Sequence, residues 1–291
     1  MEFVKDLQSG SGKRFCVKLF RKKNGAALRM FVGKKATSEK DEARLCDEIK
    51  TLKLLQNRNV PRIQKLVCCR RDPLNKLCMY TRYYEEGDLL DFVISTEGNI
   101  LPLQTLLLIF VDVGKALSGM HRAGVCHFDV KPENIFLSQE EGRLTATLAD
   151  LELAGKAMTR KARGTEKYWP PEMLSLHKKI VDTVDGRACD VFSFAHTILL
   201  LCDQPSVAPR LQPAVEGFFT KKCCCPEPEA RPSTDEVLLV LKETLNPFPV
   251  VVAGARCPPS LQRKLCMPPE PDQSVTRIFE ALSLQTKTGS P

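Results

Sequence analysis

The hydrophobic pattern of this 291-residue chain changes near residue 85, and this change constrains the fold more than any other feature. Before it, "RFCVKLFRKKNGAALRMFV" places two β-rich runs around Asn24-Gly25, a pair that favours a tight hairpin. "SEKDEARLCDEIKTLKLL" then has Ser38 as a candidate N-cap and apolar residues at helical spacing. Later apolar runs are mostly helical in period. We therefore expect an α+β fold, with a small β-rich lobe over residues 1–84 and a larger helical lobe over residues 85–246.

Composition narrows the class of protein. Apolar residues make up 43% of the chain and charged residues 27%, which is enough for a sizeable core. The first residues lack the pattern of a signal peptide, and the longest apolar stretch, "VFSFAHTILLLC", is too short to span a bilayer. Thirteen cysteines without a secretion signal indicate reduced thiols. We expect a cytoplasmic or nuclear protein without a membrane partner, and the modest net charge of +8 weighs against nucleic acid.

Residues 247–291 differ in composition from the rest of the chain. "PFPVVVAGARCPPSLQRKLCMPPEPDQ" is proline-rich and is expected to be extended, whereas "SVTRIFEALSL" has the pattern of a short amphipathic helix. In one interpretation its apolar side docks on the rest of the chain or on a partner protein. The alternative is a disordered tail. The apolar side consists of Val275, Ile278, Phe279 and Leu282.

One loop concentrates polar side chains at fixed spacing. "CHFDVKPENIFL", residues 126–137, sets an aspartate, a lysine and an asparagine between apolar flanks. Its core, "HFDVKPEN", resembles the catalytic loop H-R-D-x-K-x-x-N of eukaryotic protein kinases. Segments that resemble other kinase motifs occur in the family's order: "GSGKRFCV", "ADLELA", "GTEKYWPPE", "DVFSFA" and "CPEPEARPS". The resemblance covers roughly residues 5–245 and implies a bilobal protein-kinase-like fold.

The resemblance implies a serine/threonine protein kinase that uses ATP and Mg²⁺ and acts on protein serine or threonine hydroxyls. Asp129 would accept or orient the substrate hydroxyl, and Lys131, typical of serine/threonine kinases, would reach the γ-phosphate. Asn134 and Asp150 offer the hard oxygen ligands that Mg²⁺ prefers. A basic activation segment suggests acidic substrates, although solvated charges are the simpler account. Its basic residues are Lys156, Arg160, Lys161 and Arg163.

The glycine-rich loop is less complete than in the family. Gly10 and Gly12 would let backbone amides approach the phosphates of ATP. Phe15 stands where the third glycine is expected. The other implied nucleotide contacts are Val17 over the adenine, Thr81 at the gatekeeper position and Tyr83 in the hinge.

The lysine that anchors ATP in this family, paired with a glutamate of the small-lobe helix, has two candidate positions. Glu48 fits the glutamate. "AALRMF" matches the strand pattern best and puts Arg29 in the lysine position, 19 residues before Glu48. "FVGKK" keeps a lysine, Lys34 or Lys35, at a spacing of 14 or 13. Pattern and spacing slightly favour Arg29, whose bulkier, delocalised charge would reduce nucleotide affinity or rate.

Three further departures from the family pattern bear on regulation. Phe128 replaces the arginine that binds an activation-loop phosphate, which suggests that activity does not depend on such phosphorylation. "DLE" replaces D-F-G at residues 150–152, so flipping of this segment is not expected. The interval from Asp190 to Arg231 is only 41 residues long. The missing length falls where a docking helix often sits, so substrate recognition is expected to use another surface.

The remaining matched positions are expected to be scaffold, with His127 packed in the interior and not acting as a base. The others are Asp190 bracing the catalytic loop, Glu172 and Arg231 as a buried ion pair, and Thr165 in contact with Asp129 and Lys131. Two functions compete: an active kinase, and a pseudokinase that scaffolds partners. The second is motivated by Arg29, Phe15 and "DLE".

Overall fold

The computed structural model describes residues 2–8, 15–24, 27–95 and 100–246. Gly10, Gly12, Gly25 and the whole segment 247–291, with its predicted amphipathic helix, lie outside the described residues. The predicted α+β architecture is confirmed, since a β-rich N-terminal lobe precedes a mainly helical lobe. The division at residues 84 and 246 stays a prediction.

An antiparallel sheet forms the small lobe. Its strands are β1 (Glu2–Gln8), β2 (Phe15–Asn24), β3 (Ala27–Ala36), β4 (Leu66–Arg71) and β5 (Leu77–Arg82). They are ordered β1-β2-β3-β5-β4. The pairing of β2 with β3 continues in register to Asn24 opposite Ala27, which confirms the hairpin predicted around Asn24-Gly25.

Helix α1 (Glu39–Asn57) packs on this sheet. Ser38 is its N-cap, as predicted, and its hydroxyl accepts the N–H of Asp41 at 3.2 Å. The predicted apolar stripe is buried. Burial of such side chains contributes most of the free energy that holds a helix against the rest of the fold. Glu48 lies four residues before Leu52 on the same face and is therefore carried into the interior, where it is 2% exposed.

The large lobe is built around helix α3 (Leu103–Arg122), whose Phe110 packs edge-to-face on Phe194 at 6.3 Å between ring centroids. Among the described residues, this one helix is long and apolar enough to cross a membrane, and 72% of its apolar window is buried inside the fold. The helices are α2 (Leu89–Ser95), α3 (Leu103–Arg122), α4 (Pro171–His177), α5 (Gly186–Cys202), α6 (Pro213–Phe218) and α7 (Thr234–Leu245).

Short strands position the loops of the large lobe. The hairpin of β8 and β9 follows the catalytic loop, and its second strand leads directly to Asp150. Residues 203–212, between α5 and α6, contain no helix, and α6 lies within the short interval before Arg231. The strands are β6 (Leu101–Pro102), β7 (Val125–Cys126), β8 (Ile135–Glu140), β9 (Arg143–Leu148), β10 (Gly155–Lys156), β11 (Met158–Thr159), β12 (Val184–Asp185) and β13 (Val207–Ala208).

The two lobes are joined next to the end of β9. The N–H of Gln64 donates to the carbonyl of Leu148 at 2.9 Å, and the N–H of Leu148 donates to the carbonyl of Arg62 at 2.8 Å. Glu140 of β8 accepts hydrogen bonds from Arg62 at 2.8 Å and Arg82 at 2.7 Å. This seam fixes the small lobe against the strand that precedes Asp150.

Candidate active site

The catalytic loop is braced from behind by Asp190 of α5. This carboxylate is fully buried and accepts the backbone N–H groups of His127 and Phe128, both at 2.7 Å. His121 also bonds it, at 2.9 Å. A buried carboxylate is stable only when its oxygens are hydrogen-bonded, and here both are used to hold the loop backbone. The predicted role of Asp190 is confirmed.

His127 has a structural role, as predicted. Its ring is fully buried. Nε2 bonds the carbonyl of Ala149 at 2.9 Å, and Nδ1 lies 3.2 Å from the N–H of Asp129. The Ala149 carbonyl can only accept a hydrogen bond, so Nε2 carries the proton. The Asp129 amide can only donate, so Nδ1 is unprotonated, and both ring nitrogens are hydrogen-bonded. His127 therefore links the catalytic loop to the segment before Asp150.

Asp129 lies at the centre of a hydrogen-bond network. The N–H and hydroxyl of Thr165 both donate to its Oδ1 at 2.8 Å, and Lys131 Nζ lies 3.2 Å from its Oδ2. Lys131 also donates to the Thr165 hydroxyl at 2.7 Å, so the predicted Thr165 contacts are confirmed. Burial opposes ionisation, but the Thr165 bonds and the Lys131 charge lower the pKa of Asp129 below its usual value. The carboxylate is thus ionised at neutral pH.

Asn134 and Asp150 form a donor set that suits a hard divalent cation. Asn134 Nδ2 donates to the carbonyl of Asp129 at 2.8 Å and to its Oδ2 at 3.0 Å, so Oδ1 is the atom left to accept a cation. Asp150 has a left-handed backbone with φ of 58°, and its side chain is 44% exposed. Carboxylate and amide oxygens are the ligands that Mg²⁺ prefers.

Lys34, not Arg29, is the partner of Glu48. Lys34 Nζ lies 2.9 Å from Glu48 Oε2 and 3.3 Å from Asp150 Oδ1. The preference for Arg29 is wrong, because side chains alternate between the faces of a strand and positions five apart point to opposite sides. Arg29 is exposed, opposite Lys22 of β2. Lys35 points away from Lys34 and pairs with Asp72 at 3.0 Å.

A third carboxylate and an aromatic ring complete the surroundings of Lys34. Glu152 Oε2 lies 3.8 Å from Lys34 Nζ, and the Phe15 ring centroid lies 4.3 Å from it. Burial raises the pKa of Glu48 to about 7, although the Lys34 charge opposes this shift. Burial would lower the pKa of Lys34, but the charges of Glu48 and Asp150 raise it. Lys34 is therefore a fixed positive charge within an acidic cluster.

The remaining predicted nucleotide contacts lie on the same side of the sheet or at its edge. Val17 is half-buried on β2 opposite Lys34. Thr81 is buried on β5 opposite Val32, and its hydroxyl accepts a hydrogen bond from Gln64 at 3.3 Å. Tyr83, just after β5, is half-buried.

The family model of the protein kinase domain matches residues 3–216, which is most of this chain. The chain belongs to the protein kinase family. It is 24% identical to the serine/threonine/tyrosine-protein kinase HT1 of Arabidopsis thaliana, over 74% of this chain and 58% of HT1. It is 25% identical to the mouse dual specificity testis-specific protein kinase 2, over 82% of this chain and 44% of that protein. The chain thus spans about half the length of these relatives.

A third relative is the serine/threonine-protein kinase STY17 of Arabidopsis thaliana, 28% identical over 68% of this chain and 37% of that protein. Members of the family use ATP and a divalent metal ion to phosphorylate hydroxyl groups of proteins. These matches show the coarse class of this protein, a protein kinase domain.

In this kinase domain the activation segment is held by an apolar cluster around Phe128. Phe128 is 4% exposed, has a φ of 66°, and packs with Cys126, Met173 and Val184. The Arg163 guanidinium lies 5.5 Å from the Phe128 ring centroid. Phe128 thus provides packing where the family's arginine would bind a phosphate.

Arg163 and the Glu172–Arg231 pair fix the two ends of this segment. Arg163 donates to the carbonyl of Leu153 at 3.0 Å, so it is turned inward and does not extend toward substrate as its predicted acid-binding role requires. Arg231 makes two bonds to Glu172, at 2.6 and 2.8 Å, which confirms the predicted buried pair.

Glu152 and Gln64 are site residues whose roles the sequence did not reveal. Glu152 lies 3.9 Å from Arg44 of α1 as well as near Lys34, so it connects two elements of the small lobe. Gln64 Oε1 accepts the N–H of Asp150 at 3.4 Å. The glutamate in "DLE" indicated an additional negative charge near the site. Its partners could not be predicted, because they lie more than a hundred residues away in the chain.

Proposed function

We propose that this protein is an active serine/threonine protein kinase that transfers the γ-phosphoryl group of ATP to protein hydroxyls. The observation that carries the proposal is the joined network of Asp129, Lys131, Asn134 and Thr165, together with the pairing of Lys34 with Asp150. Phosphoryl transfer needs alignment and charge neutralisation more than covalent chemistry, and these side chains provide both.

Each residue of the network has a distinct task in this mechanism. Asp129, ionised and held by Thr165, accepts a hydrogen bond from the substrate hydroxyl. It takes the proton as the hydroxyl oxygen bonds to the γ-phosphorus and the bond from that phosphorus to the departing ADP oxygen breaks. Lys131, fixed between Asp129 and Thr165, neutralises charge that develops on the transferred phosphoryl group. Lys34 binds the phosphates of ATP, and Glu48 holds its ammonium in place.

Asn134 Oδ1 and the Asp150 carboxylate hold Mg²⁺ in this proposal. A bound metal ion would supply positive charge that offsets the negative charge of the ATP phosphates. In this proposal Val17, Thr81 and Tyr83 contact the nucleotide, and the contacts of Gly10 and Gly12 with the phosphates stay a prediction from the sequence. The left-handed backbone at Asp150 directs its carboxylate toward Lys34, and Gln64 supports that conformation by accepting the Asp150 N–H.

Asp129→Asn is the deciding variant. Transfer of radiolabelled phosphoryl from ATP to a serine peptide should fall about 10²- to 10⁴-fold, because the amide cannot accept the hydroxyl proton. The matched control is Asp203→Asn, since this aspartate has a 92% exposed side chain and lies outside the site. Mg-ATP should still raise the melting temperature of both variants. Equal transfer by wild type and Asp129→Asn would refute the proposal.

Specificity for serine and threonine is tested with matched peptides. The proposal rests on Lys131, because a lysine two residues after the catalytic aspartate is typical of serine/threonine kinases, and here it contacts both Asp129 and Thr165. Serine and threonine peptides should be phosphorylated at least tenfold faster than a tyrosine peptide of the same sequence, a difference of about 1.4 kcal/mol. Comparable rates would instead assign dual specificity, as in the name of the mouse relative.

A pseudokinase is the second candidate, favoured by the enclosure of Lys34. Its side chain is 15% exposed, and Phe15 and three carboxylates surround it. A protein of this kind would bind nucleotide and scaffold partners without transfer. A melting-temperature shift with Mg-ATP in the absence of measurable transfer would support it, and robust turnover would exclude it.

Cellular context completes the proposal. We expect a cytoplasmic or nuclear kinase without membrane or nucleic-acid partners, acting on acidic substrates near the exposed Lys156, Arg160 and Lys161. Residues 247–291 would bind a partner protein through their apolar side chains. Removing them should weaken binding to that partner, and unchanged stability, activity and binding would reject a role for the segment.

A further inference from the structure

Two segments of the large lobe that meet at the pairing of β11 with β12 carry exposed basic side chains. Antiparallel pairing of β11 with β12 sets Met158 opposite Asp185 and Thr159 opposite Val184. This pairing brings the activation segment beside β12, which directly follows residues 178–183, the link from α4. Exposed basic side chains lie on both segments, and we call them the basic surface: Lys156, Arg160, Lys161, Lys178 and Lys179.

Few acidic groups offset this charge. Glu172 is engaged by Arg231 at 2.6 Å, and Asp185 is engaged by Arg187 at 2.9 Å. Glu166 and Asp182 are the exposed acidic residues of the stretch 154–183. The five basic groups therefore outnumber them, and the local field attracts anionic groups.

Large apolar side chains are interspersed with these charges. Ile180 is 71% exposed, Met158 is 58% exposed and Val181 is 37% exposed. Apolar side chains exposed beside one sign of charge are typical of surfaces that bind a complementary chain. The aliphatic character of this group favours a polypeptide over nucleic acid, which single-strand binders hold by stacking bases on aromatic rings.

We propose that the basic surface docks a segment of the protein substrate that carries acidic residues and an apolar side chain. The inference rests on the proposed function and names its substrate class. It also provides the other recognition surface that the short interval from Asp190 to Arg231 predicts. Arg163 takes no part, because its guanidinium is bound to the carbonyl of Leu153.

Peptide binding to the full chain without nucleotide tests the docking step by itself. The probe is a fluorescein-labelled peptide with several Asp and Glu residues, one Ile and no hydroxyl side chain. Its companion replaces Asp and Glu by Asn and Gln. Fluorescence anisotropy should give a dissociation constant at least about tenfold lower for the acidic peptide, and rising salt should reduce the difference.

Two double variants with the same change in charge locate the site. Lys178→Ser with Lys179→Ser should weaken binding of the acidic peptide about fivefold to tenfold. Lys221→Ser with Lys222→Ser, exposed on the turn Phe219–Cys223, should leave it unchanged. Ile180→Ser should weaken binding to a lesser degree at any salt concentration. Equal loss in both double variants, or equal affinity for the two peptides, would overturn the proposal.

Kinetics separates this inference from the proposed function. With a substrate that joins the acidic segment to a serine, Lys178→Ser with Lys179→Ser should raise KM for the peptide and leave KM for ATP and kcat unchanged. Peptide binding without any transfer would refute the kinase activity and leave the docking surface standing. A single-stranded RNA that displaces the acidic peptide at equal concentration would overturn docking and assign the surface to nucleic acid.

Discussion

The catalytic-loop half of the active site and the Lys34 half are held by different forces. Around Asp129 the contacts are hydrogen bonds of 2.7 to 3.2 Å, backed by the buried Asp190. Around Lys34 they are charge pairs of 2.9 to 3.8 Å with three carboxylates. The first half is held by short directional bonds, whereas the second depends on a balance of charges that an incoming triphosphate would change.

After Asp129→Asn, breaking the Lys34 half of the site should have the largest effect. Lys34→Met removes the cation that holds Glu48 and binds phosphate, so kcat/KM for ATP should fall about 10²-fold, or about 2.7 kcal/mol. Arg29→Met should leave it unchanged, because Arg29 is exposed on the opposite face of β3. Steady-state kinetics and the melting shift with Mg-ATP measure both. An equal loss of kcat/KM in Arg29→Met would contradict the assignment of Lys34 as the residue that binds the phosphates.

The packing behind the catalytic loop can be broken at Gly186. A Cβ there would stand 2.3 Å from Phe128 Cζ, so Gly186→Ala should reduce the free energy of unfolding by about 1–3 kcal/mol in urea denaturation. Gly217→Ala is the matched control, since a Cβ at Gly217 meets nothing within 4 Å. A Phe128→Leu replacement should relieve part of the loss. Equal stability of the two alanine variants would show that the Phe128 cluster is not tightly packed.

Titration of Glu48 sharpens the contrast between the halves. Its pKa is raised from 4.5 to about 7 in the folded protein, so between these pH values the folded state keeps a proton that the unfolded state loses. The stability that this group contributes should therefore fall as pH rises from about 4.5 to about 7, by on the order of 1–3 kcal/mol.

Glu48→Gln removes that titration. The difference in unfolding free energy between wild type and Glu48→Gln should shift in favour of the variant from pH 5 to pH 8, as measured by urea denaturation at each pH. The catalytic-loop half supplies the control, because the pKa of Asp129 is lowered and its contribution should stay constant in this range. A constant difference would mean that Glu48 is ionised throughout.

The smallest expected effect concerns Glu152. Glu152→Gln keeps the shape of the side chain but removes one of the three negative charges near Lys34, so KM for ATP should fall about twofold to fivefold. Glu42→Gln is a suitable control, since Glu42 also lies on the small lobe but pairs with Arg71 at 2.9 Å. A rise in KM after Glu152→Gln would show instead that Glu152 helps to position Lys34.

Local spacing explains which parts of the site were predictable. Asp129, Lys131 and Asn134 share one short loop, so their mutual contacts follow from the chain itself, and the Thr165 contacts followed from the family motif. The Arg29 register was wrong because pattern and spacing do not say which face of a strand is buried. Which face of β3 is buried depends on the pairing of β3 with β5 and on the packing of α1 against the sheet.

The sequence by itself determined the α+β order of elements, the hairpin at Asn24-Gly25, the Ser38 cap and the catalytic loop, because each depends on neighbours within a few residues or one helical period. Only the tertiary structure decided that Lys34 meets Glu48, Asp150 and Glu152, that Arg163 turns inward, and that two segments with exposed basic side chains meet where β11 pairs with β12. Those outcomes depend on residues far apart in the chain, whose contacts are set by burial and strand pairing.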